Sequence, residues 1–503
     1  MVQSRHWLSA LSCSLAISVV SIAANTTSAY AVSLVNNLTI PGNSTDLSPL
    51  NGGMGGANVN RLALFSDLYY DRYQNVYYSL PDRGPGGGVI SYNTRIQKFS
   101  LDVDPNTGAI SNFKLLDTIL FTKNGKNFNG LNPSLLNSDA GVLGLSFDPE
   151  GFAVAPNGNF YVSDEYGPSV YEFSSDGSFI RAFKTPENII PKVGSSSNYV
   201  DGQGTITSGR QDNRGFEGLT LSPDGTKLYA ILQDALVNEG SNEGSADGRY
   251  SRNVRLVEFN TATGESVAQY IYQLETIADI NERIPGTKDD FKKNAQGRNI
   301  GVSAITALND KEFLVLERDN RGLGVEDTAS SKPVGSKRVY KINLTDATDV
   351  SSISLAGSNM LPVSVNAVNK SLFLDIADAL ADAFKVIPEK FEGLAIGPQL
   401  ADGSYALLLG TDNDFSVTQN GDDVQFDVCT GGTQVPIDQG CPAGETLIPS
   451  FLYSFKASSA ELTGFVPPVK PLEKVPEPVS NAGLVLLGLG GFWLKRRQHG
   501  SAK

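Results

Sequence analysis

The chain has 503 residues, 40% hydrophobic, with 51 glycines and a formal charge of −14 at pH 7. That balance excludes the basic face that binding to a phosphate backbone needs, so no nucleic-acid partner is expected; cation binding and a solvated acidic surface both fit. Its two histidines, His6 and His499, lie in the terminal segments, which removes histidine zinc sites and a Ser-His-Asp triad from the body.

At the N-terminus Arg5 and His6 precede an apolar run from Leu8 to Ala24, and Ala29-Tyr30-Ala31 supplies a small-x-small cleavage site. Residues 1–31 therefore read as a secretory signal peptide. Leu34 to Ile40 can supply a strand that closes the fold against FLYSFK, within Pro449 to Lys456. The stretch from Phe147 to Gly177 alternates apolar and polar residues, turns at Pro156-Asn157-Gly158 and runs into the polar corner Ser163-Asp164-Glu165-Tyr166-Gly167. This is a strand, hairpin, strand, corner and strand. Variants return at Phe216 (FEGLTLSPDGTKLYAILQDA) and Phe391 (FEGLAIGPQLADGSYALLLGTDNDF), and looser ones near Leu62 and Ser303. Repeats roughly 65 to 90 residues apart, each a small sheet unable to bury both faces alone, predict the blades of a propeller.

Between these units, residues 121–138, 189–214 and 236–250 are rich in Asn, Ser and Gly and read as long loops. Leu372, Ile376, Leu380 and Phe384 recur every four residues and predict an amphipathic helix from Ser371 to Lys385. With Cys13 in the leader, Cys429 and Cys441 remain as a pair flanking a Gly- and Pro-rich segment, and a disulfide is expected. Residues 467–478 form a Pro-rich linker. In 479–503 an apolar, Gly-rich run from Ala482 to Leu494 precedes Lys495-Arg496-Arg497. Together with Val475-Pro476-Glu477-Pro478, this resembles a PEP-CTERM sorting signal, which implies cutting by an exosortase-type enzyme. A permanent transmembrane anchor is the other reading.

The acidic corners Asp82-Arg83, Asp164-Glu165, Gln233-Asp234, Glu317-Arg318-Asp319 and Asp412-Asn413-Asp414 recur in the repeats, each expected after the innermost strand. Glu150, Glu217 and Glu392 each precede an apolar strand. Radial repetition places equivalent positions on one rim, so these groups should converge on one mouth, where a shared cation would relieve their repulsion. Calcium suits the oxygen donors Glu150, Asp164, Glu165, Glu217, Glu392, Asp412 and Asp414 better than magnesium. Tight turns and hydrogen bonds between blades are the alternative roles. Arg83, Arg214, Arg318, Arg321 and Lys390 stand among the acids, and Arg83 and Arg318 could grip a phosphate. No Gly-rich phosphate loop or nucleophile elbow is present, and Ser146 and Ser163 have no histidine to activate them.

DPEGFAVAPNGNFYVSDEYGPSVYEF, FEGLTLSPDGTKLYAILQ, FLVLERDNRG and FEGLAIGPQLADGSYALLLGTDNDF resemble the phytase-like domain, the family labelled esterase-like activity of phytase. The resemblance implies an all-β fold, a single six-bladed propeller, here over residues 32–466, in a secreted protein. It carries Asp82, Arg83, Glu150, Asp164, Glu165, Glu217, Glu317, Arg318, Glu392, Asp412 and Asp414 as site positions. The expected activity is calcium-assisted hydrolysis of an anionic phosphoester by a secreted monomer, with Glu217, Glu392, Arg83 and Arg318 catalytic. A non-catalytic binding module at the cell envelope and a lactonase-like hydrolase are the alternatives. The first repeat departs from the pattern, with Ser66-Asp67-Leu68 where a Ser-Gly-Leu start is expected.

Overall fold

The computed structural model describes residues 32–50, 60–202, 204–292, 296–419 and 424–470. The expected signal peptide and C-terminal sorting segment lie outside the described residues, as does the end of the linker. No described helix is long and apolar enough to cross a membrane.

Each repeat seen in the sequence folds into one four-stranded antiparallel sheet, giving a nearly all-β, propeller-like arrangement. The first sheet holds Asp67–Asp71, Val76–Leu80, Arg95–Val103 and Ile110–Leu120. Pro149–Val154, Phe160–Asp164, Val170–Phe173 and Phe179–Ala182 make the second, and Phe216–Leu221, Lys227–Leu232, Asn253–Asn260 and Ser266–Gln273 the third. The fourth consists of Ile300–Ala307, Glu312–Asp319, Lys337–Asn343 and Asn369–Asp375. Phe391–Gln399, Tyr405–Thr411 and Ser450–Ala457 form the fifth, whose outer strand is Val32–Ile40, so both ends of the domain meet in one sheet.

The first strand of each sheet is innermost, and its sequence shows why. Pro149–Val154 and Phe216–Leu221 are buried at every position, as suits a strand enclosed on both faces, whereas the outer Ile110–Leu120 exposes most of its residues. The inner strands approach one another closely. A Cβ on Gly151 would lie 2.5 Å from the Leu219 nitrogen, one on Gly218 2.9 Å from that of Ile305, and one on Gly393 3.0 Å from the Leu68 Cβ. Thr306 donates to the Leu394 carbonyl at 2.8 Å, and the Phe152 N–H donates to Asp67 at 2.7 Å. The glycine after each of Glu150, Glu217 and Glu392 is thus what lets neighbouring sheets pack edge to edge. In the first sheet Asp67 stands at that place and caps the next strand's N–H instead, which accounts for the departure seen in its sequence. Between the first and second sheets the core is largely aromatic, as where Tyr69 and Tyr78 lie 5.8 and 5.5 Å from the Phe152 ring.

Four expectations need correction. The four-stranded sheets among the described residues number five, not six: each of the five legible repeats makes one, and the described chain between them forms connections, short hairpins and a three-stranded sheet of Val417–Gln419, Gln425–Val428 and Gln434–Pro436. The polar corners follow the second strand of each sheet, not the innermost; antiparallel pairing, as in Phe216 with Leu232 and Pro149 with Asp164, still returns them to the rim where the inner strands begin. The predicted helix is only Ile376–Ala381, capped by Asp375, because the preceding residues extend as the outer strand of the fourth sheet; Leu372 is 51% exposed there. The predicted loops contain short two-residue hairpins at Thr122–Lys123 with Lys126–Asn127, Lys192–Val193 with Ser196–Ser197, and Ser241–Asn242 with Ser245–Ala246, and a helix at Pro133–Asn137. The expected Cys429–Cys441 disulfide is present.

At the end of the ring away from the corners, the chain crosses the exits of the inner strands. Val466 N–H donates to the Leu308 carbonyl and Val469 N–H to that of Pro223, both at 2.7 Å, and Phe465 lies edge-on to Tyr405. A small apolar cavity of about 60 Å³ lies between this seal and Leu219, Ile305 and Leu394. The large polar opening lies at the other end, among the corners.

Candidate functional site

That opening is a cavity of about 550 Å³ lined by side chains from all five sheets. Asp82 and Arg83 come from the first, Glu150 and Glu165 from the second, Arg214, Glu217 and Gln233 from the third, Arg318 from the fourth, and Lys390, Glu392 and Asp414 from the fifth. The glutamates reach it through a local irregularity. Pairing slips between Pro149 and Phe152, between Phe216 and Gly218 and between Phe391 and Gly393, so Glu150, Glu217 and Glu392 each stand at a β-bulge. A bulge re-aims a side chain at a sheet's rim. The fourth sheet has the same slip between Val302 and Ala304, placing Ser303 where the others carry glutamate.

Around the mouth acids and bases are interleaved. Arg83 Nη1 donates to Asp148 Oδ2 at 2.8 Å and lies 3.8 Å from Glu165. Arg214 lies 3.3 Å from Asp234 and donates to Gln233 Oε1, while Gln233 Nε2 donates to Glu217 Oε1. Arg318 donates to Ser303 Oγ at 2.9 Å and to Glu392 Oε1. Lys390 Nζ reaches Asp414 at 2.6 Å, Asp412 at 3.1 Å and Glu392 at 4.0 Å. Every base at the rim therefore has an acid partner, and the expected phosphate clamp of Arg83 and Arg318 is already engaged with carboxylates.

The acids outnumber these partners, and two groups of three come together. Carboxylate oxygens of Asp148, Glu150 and Glu165 lie within 4.8 Å of one another, as do those of Asp82, Asp412 and Asp414. Burial, with Glu217, Asp148 and Glu165 close by, pushes the Glu150 carboxyl well up; burial and then Glu165 and Glu392 do the same to Glu217. Asp82 is pushed up to about 7 and Asp148 to about 6, in both cases by burial first, opposed chiefly by Lys390 and by Arg83 respectively. Lys390 is held above the usual ammonium range: burial works against its charge, but Asp414, Glu392 and Asp412 outweigh it. Glu165 Oε1 and Glu217 Oε2 are buried without a hydrogen-bond partner.

The structure brings together Asp82, Arg83, Glu150, Glu165, Glu217, Arg318, Glu392 and Asp414, with Asp412 just behind Asp414. Two expected residues stand elsewhere. Asp164 spends its oxygens on the N–H groups of Asp148, Tyr166 and Gly167, shaping the corner. Glu317 accepts from Tyr272, Lys370 and the Glu275 N–H, away from the cavity. Both depart from the site expectations: Asp164 takes the turn role that Asp serves at corners, and Glu317, inside the strand Glu312–Asp319, is taken up by groups of the third and fourth sheets. Asp148 went unnoticed; its signal is its position two residues before Glu150, matching Lys390 before Glu392.

Residues 60–415 match the phytase-like family model, described as esterase-like activity of phytase. A curated relative from Arthroderma benhamiae, described as an uncharacterized secreted protein, is 28% identical over 460 residues, covering 77% of this chain and 87% of its own. Solved structures with some likeness include regucalcin, a calcium-binding protein from Agrobacterium tumefaciens, at 9% identity, TM-score 0.30, 84% of this chain and 98% of that one. A luciferin-regenerating enzyme aligns at 11% identity, TM-score 0.29, 83% and 95%. At such scores these two likenesses carry no conclusion about activity.

Proposed function

The chain belongs to the phytase-like family, and from that premise we propose that it is a secreted hydrolase acting on an ester, first of all a phosphoester, at the charged mouth of a closed five-bladed ring. The observation that carries the reading is the convergence of Glu150, Glu217 and Glu392 at bulges of three inner strands around one cavity. Repetition alone does not require a charged rim, and burying these acids is costly unless they are paired or hydrogen-bonded; Arg318 and Gln233 do this for Glu392 and Glu217, and a cation would do it for Glu150.

A divalent cation, with calcium the best chemical match, fits the residues present. The donors are all hard oxygens, and Glu165 keeps a buried oxygen without a partner. A bound cation would supply polarisation of the ester oxygen and stabilise charge developing on it. The protein's own groups supply the rest. Gln233 holds the Glu217 carboxyl by one oxygen, and burial keeps a proton on it to higher pH than an ordinary glutamate, so it can deliver that proton to a leaving oxygen. Arg318, fixed by Ser303 and Glu392, presents positive charge to the cavity without freedom to swing.

The pairing of every rim base with an acid favours a second reading, a lactone or other neutral ester, which needs no free cationic clamp. Export fits the secreted relative and the disulfide. Processing near Pro476 by an exosortase-type enzyme belongs to the same reading. The test is a substrate panel of phytate, an aryl phosphate, aryl acetates and lactones, assayed with calcium and with chelator. Phosphate release that needs calcium supports the first reading, turnover of lactones alone supports the second, and binding without turnover of any class leaves a binding module.

A further inference from the structure

The two acidic trios at the mouth differ in what already satisfies them. In the trio Asp82, Asp412 and Asp414, an ammonium is in place: Lys390 Nζ lies 2.6 Å from Asp414 and 3.1 Å from Asp412. Two further oxygens of this trio accept backbone N–H groups, Asp82 from Gly84 at 2.8 Å and Asp412 from Asp414 at 3.1 Å. In the trio Asp148, Glu150 and Glu165, Arg83 makes a close contact with Asp148 only and stands 3.8 Å from Glu165. Glu150 forms no ion pair among the described residues, and Glu165, only 2% exposed, has an oxygen with no partner. Glu217, 3% exposed, lines the same cavity and also has a buried oxygen without a partner.

We propose that one divalent cation binds per chain at Asp148, Glu150 and Glu165, and that Lys390 is the built-in cation of the other trio, which keeps Asp82, Asp412 and Asp414 free of metal. This rests on the reading of the mouth as a cation-assisted site, and it adds a ligand, Asp148, and a specific exclusion. The physics is a comparison of counter-ions. A lysine ammonium held by two aspartates fills the volume a cation would need and repels a second charge at contact distance. An arginine bound to Asp148 reaches Glu165 only at 3.8 Å and makes no ion pair with Glu150, so the trio holds three carboxylates against one guanidinium, and buried carboxylates short of counter-charge are the costlier state. Removing Lys390 should therefore convert the second trio into a metal site.

Calorimetric titration of the chelator-treated full chain with calcium, and thermal unfolding in parallel, test this. The wild type is expected to take up one ion; Glu165→Gln and Asp148→Asn should each weaken binding by about 10- to 100-fold, the range for lost ligands and their supports, while Asp82→Asn leaves it within about twofold. Lys390→Met should melt lower in chelator, recover with calcium and bind two ions. Absence of uptake by the wild type overturns the proposal, as does loss of binding in Asp82→Asn with retention in Glu165→Gln, or a folded Lys390→Met that still binds one ion. One ion bound at this place by a protein that hydrolyses nothing would contradict the hydrolase reading and leave the cation assignment standing. Hydrolysis by a wild type that binds no ion would do the reverse.

Discussion

Arg318, at the end of the second strand of the fourth sheet, donates through Nη2 to Oε1 of Glu392, on the bulge that opens the fifth. The pair joins two sheets at the mouth, with side chains 10% and 5% exposed. Breaking a buried pair strands one charge, at a cost of about 3 kcal/mol or more. Arg318→Met should accordingly lower stability by that order in chemical denaturation, and Arg318→Met with Glu392→Gln should recover part of the loss. Equal losses in the single and double variants would show that the pair is not what holds the two sheets at this point.

The inner glycines are steric requirements. Gly218→Ala would bring a methyl to 2.9 Å from the Ile305 nitrogen and 3.0 Å from the Ala304 carbonyl carbon, both backbone atoms that cannot turn aside. Destabilisation of about 1–3 kcal/mol is expected. Gly202→Ala, whose methyl would meet nothing nearer than 3.6 Å, should change the melting temperature little.

Stability should fall as pH rises through the range where the mouth ionises. Asp82 and Asp148 are held above their ordinary 3.8, at about 7 and about 6, so the folded chain keeps protons that the unfolded chain has released. Their contribution is complete below about pH 4 and declines as pH climbs to about 6 for Asp148 and about 7 for Asp82, by about 1.4 kcal/mol per pH unit for each retained proton. Calcium should oppose that decline, most strongly at pH 7 to 8. Unfolding midpoints measured from pH 4.5 to 8, with and without calcium, would show it; a rise in chelator across this range would contradict the assigned burial.

The Cys429–Cys441 bridge joins residues twelve apart, and Cys429 is fully buried. Closing a loop of that length restricts the unfolded chain by about 3 kcal/mol in the entropic account. The double variant Cys429→Ser, Cys441→Ser should lose stability of that order while the cavity, which neither cysteine lines, keeps its ligand affinity.

Legibility in the sequence followed locality. Strand alternation and the Pro-Asn-Gly turn are local, so Phe160–Asp164 and its hairpin were readable, as was the closing pair Val32–Ile40 with Ser450–Ala457. The Glu-Gly pairs were readable as repeats, but the reason for the glycine lies in the neighbouring sheet, at Leu219, Ile305 and Leu68. Leu372 misled because apolar spacing of four is shared by a helix and by a strand leading into one. The site needed both levels: Glu150, Glu217 and Glu392 were found by position in the repeat, whereas Asp148 and the counter-ion role of Lys390 depend on contacts between corners that no single repeat contains.

Hydrolysis at the acidic mouth is read most directly from kcat/KM for an aryl phosphate with Glu217→Gln and Glu392→Gln, each checked for an unchanged melting curve. Calcium-dependent turnover by the wild type is expected, with a loss of about 100-fold or more in Glu217→Gln, the size expected when a positioned acid is removed. Turnover that survives both substitutions undiminished would place the chemistry elsewhere and contradict that expectation.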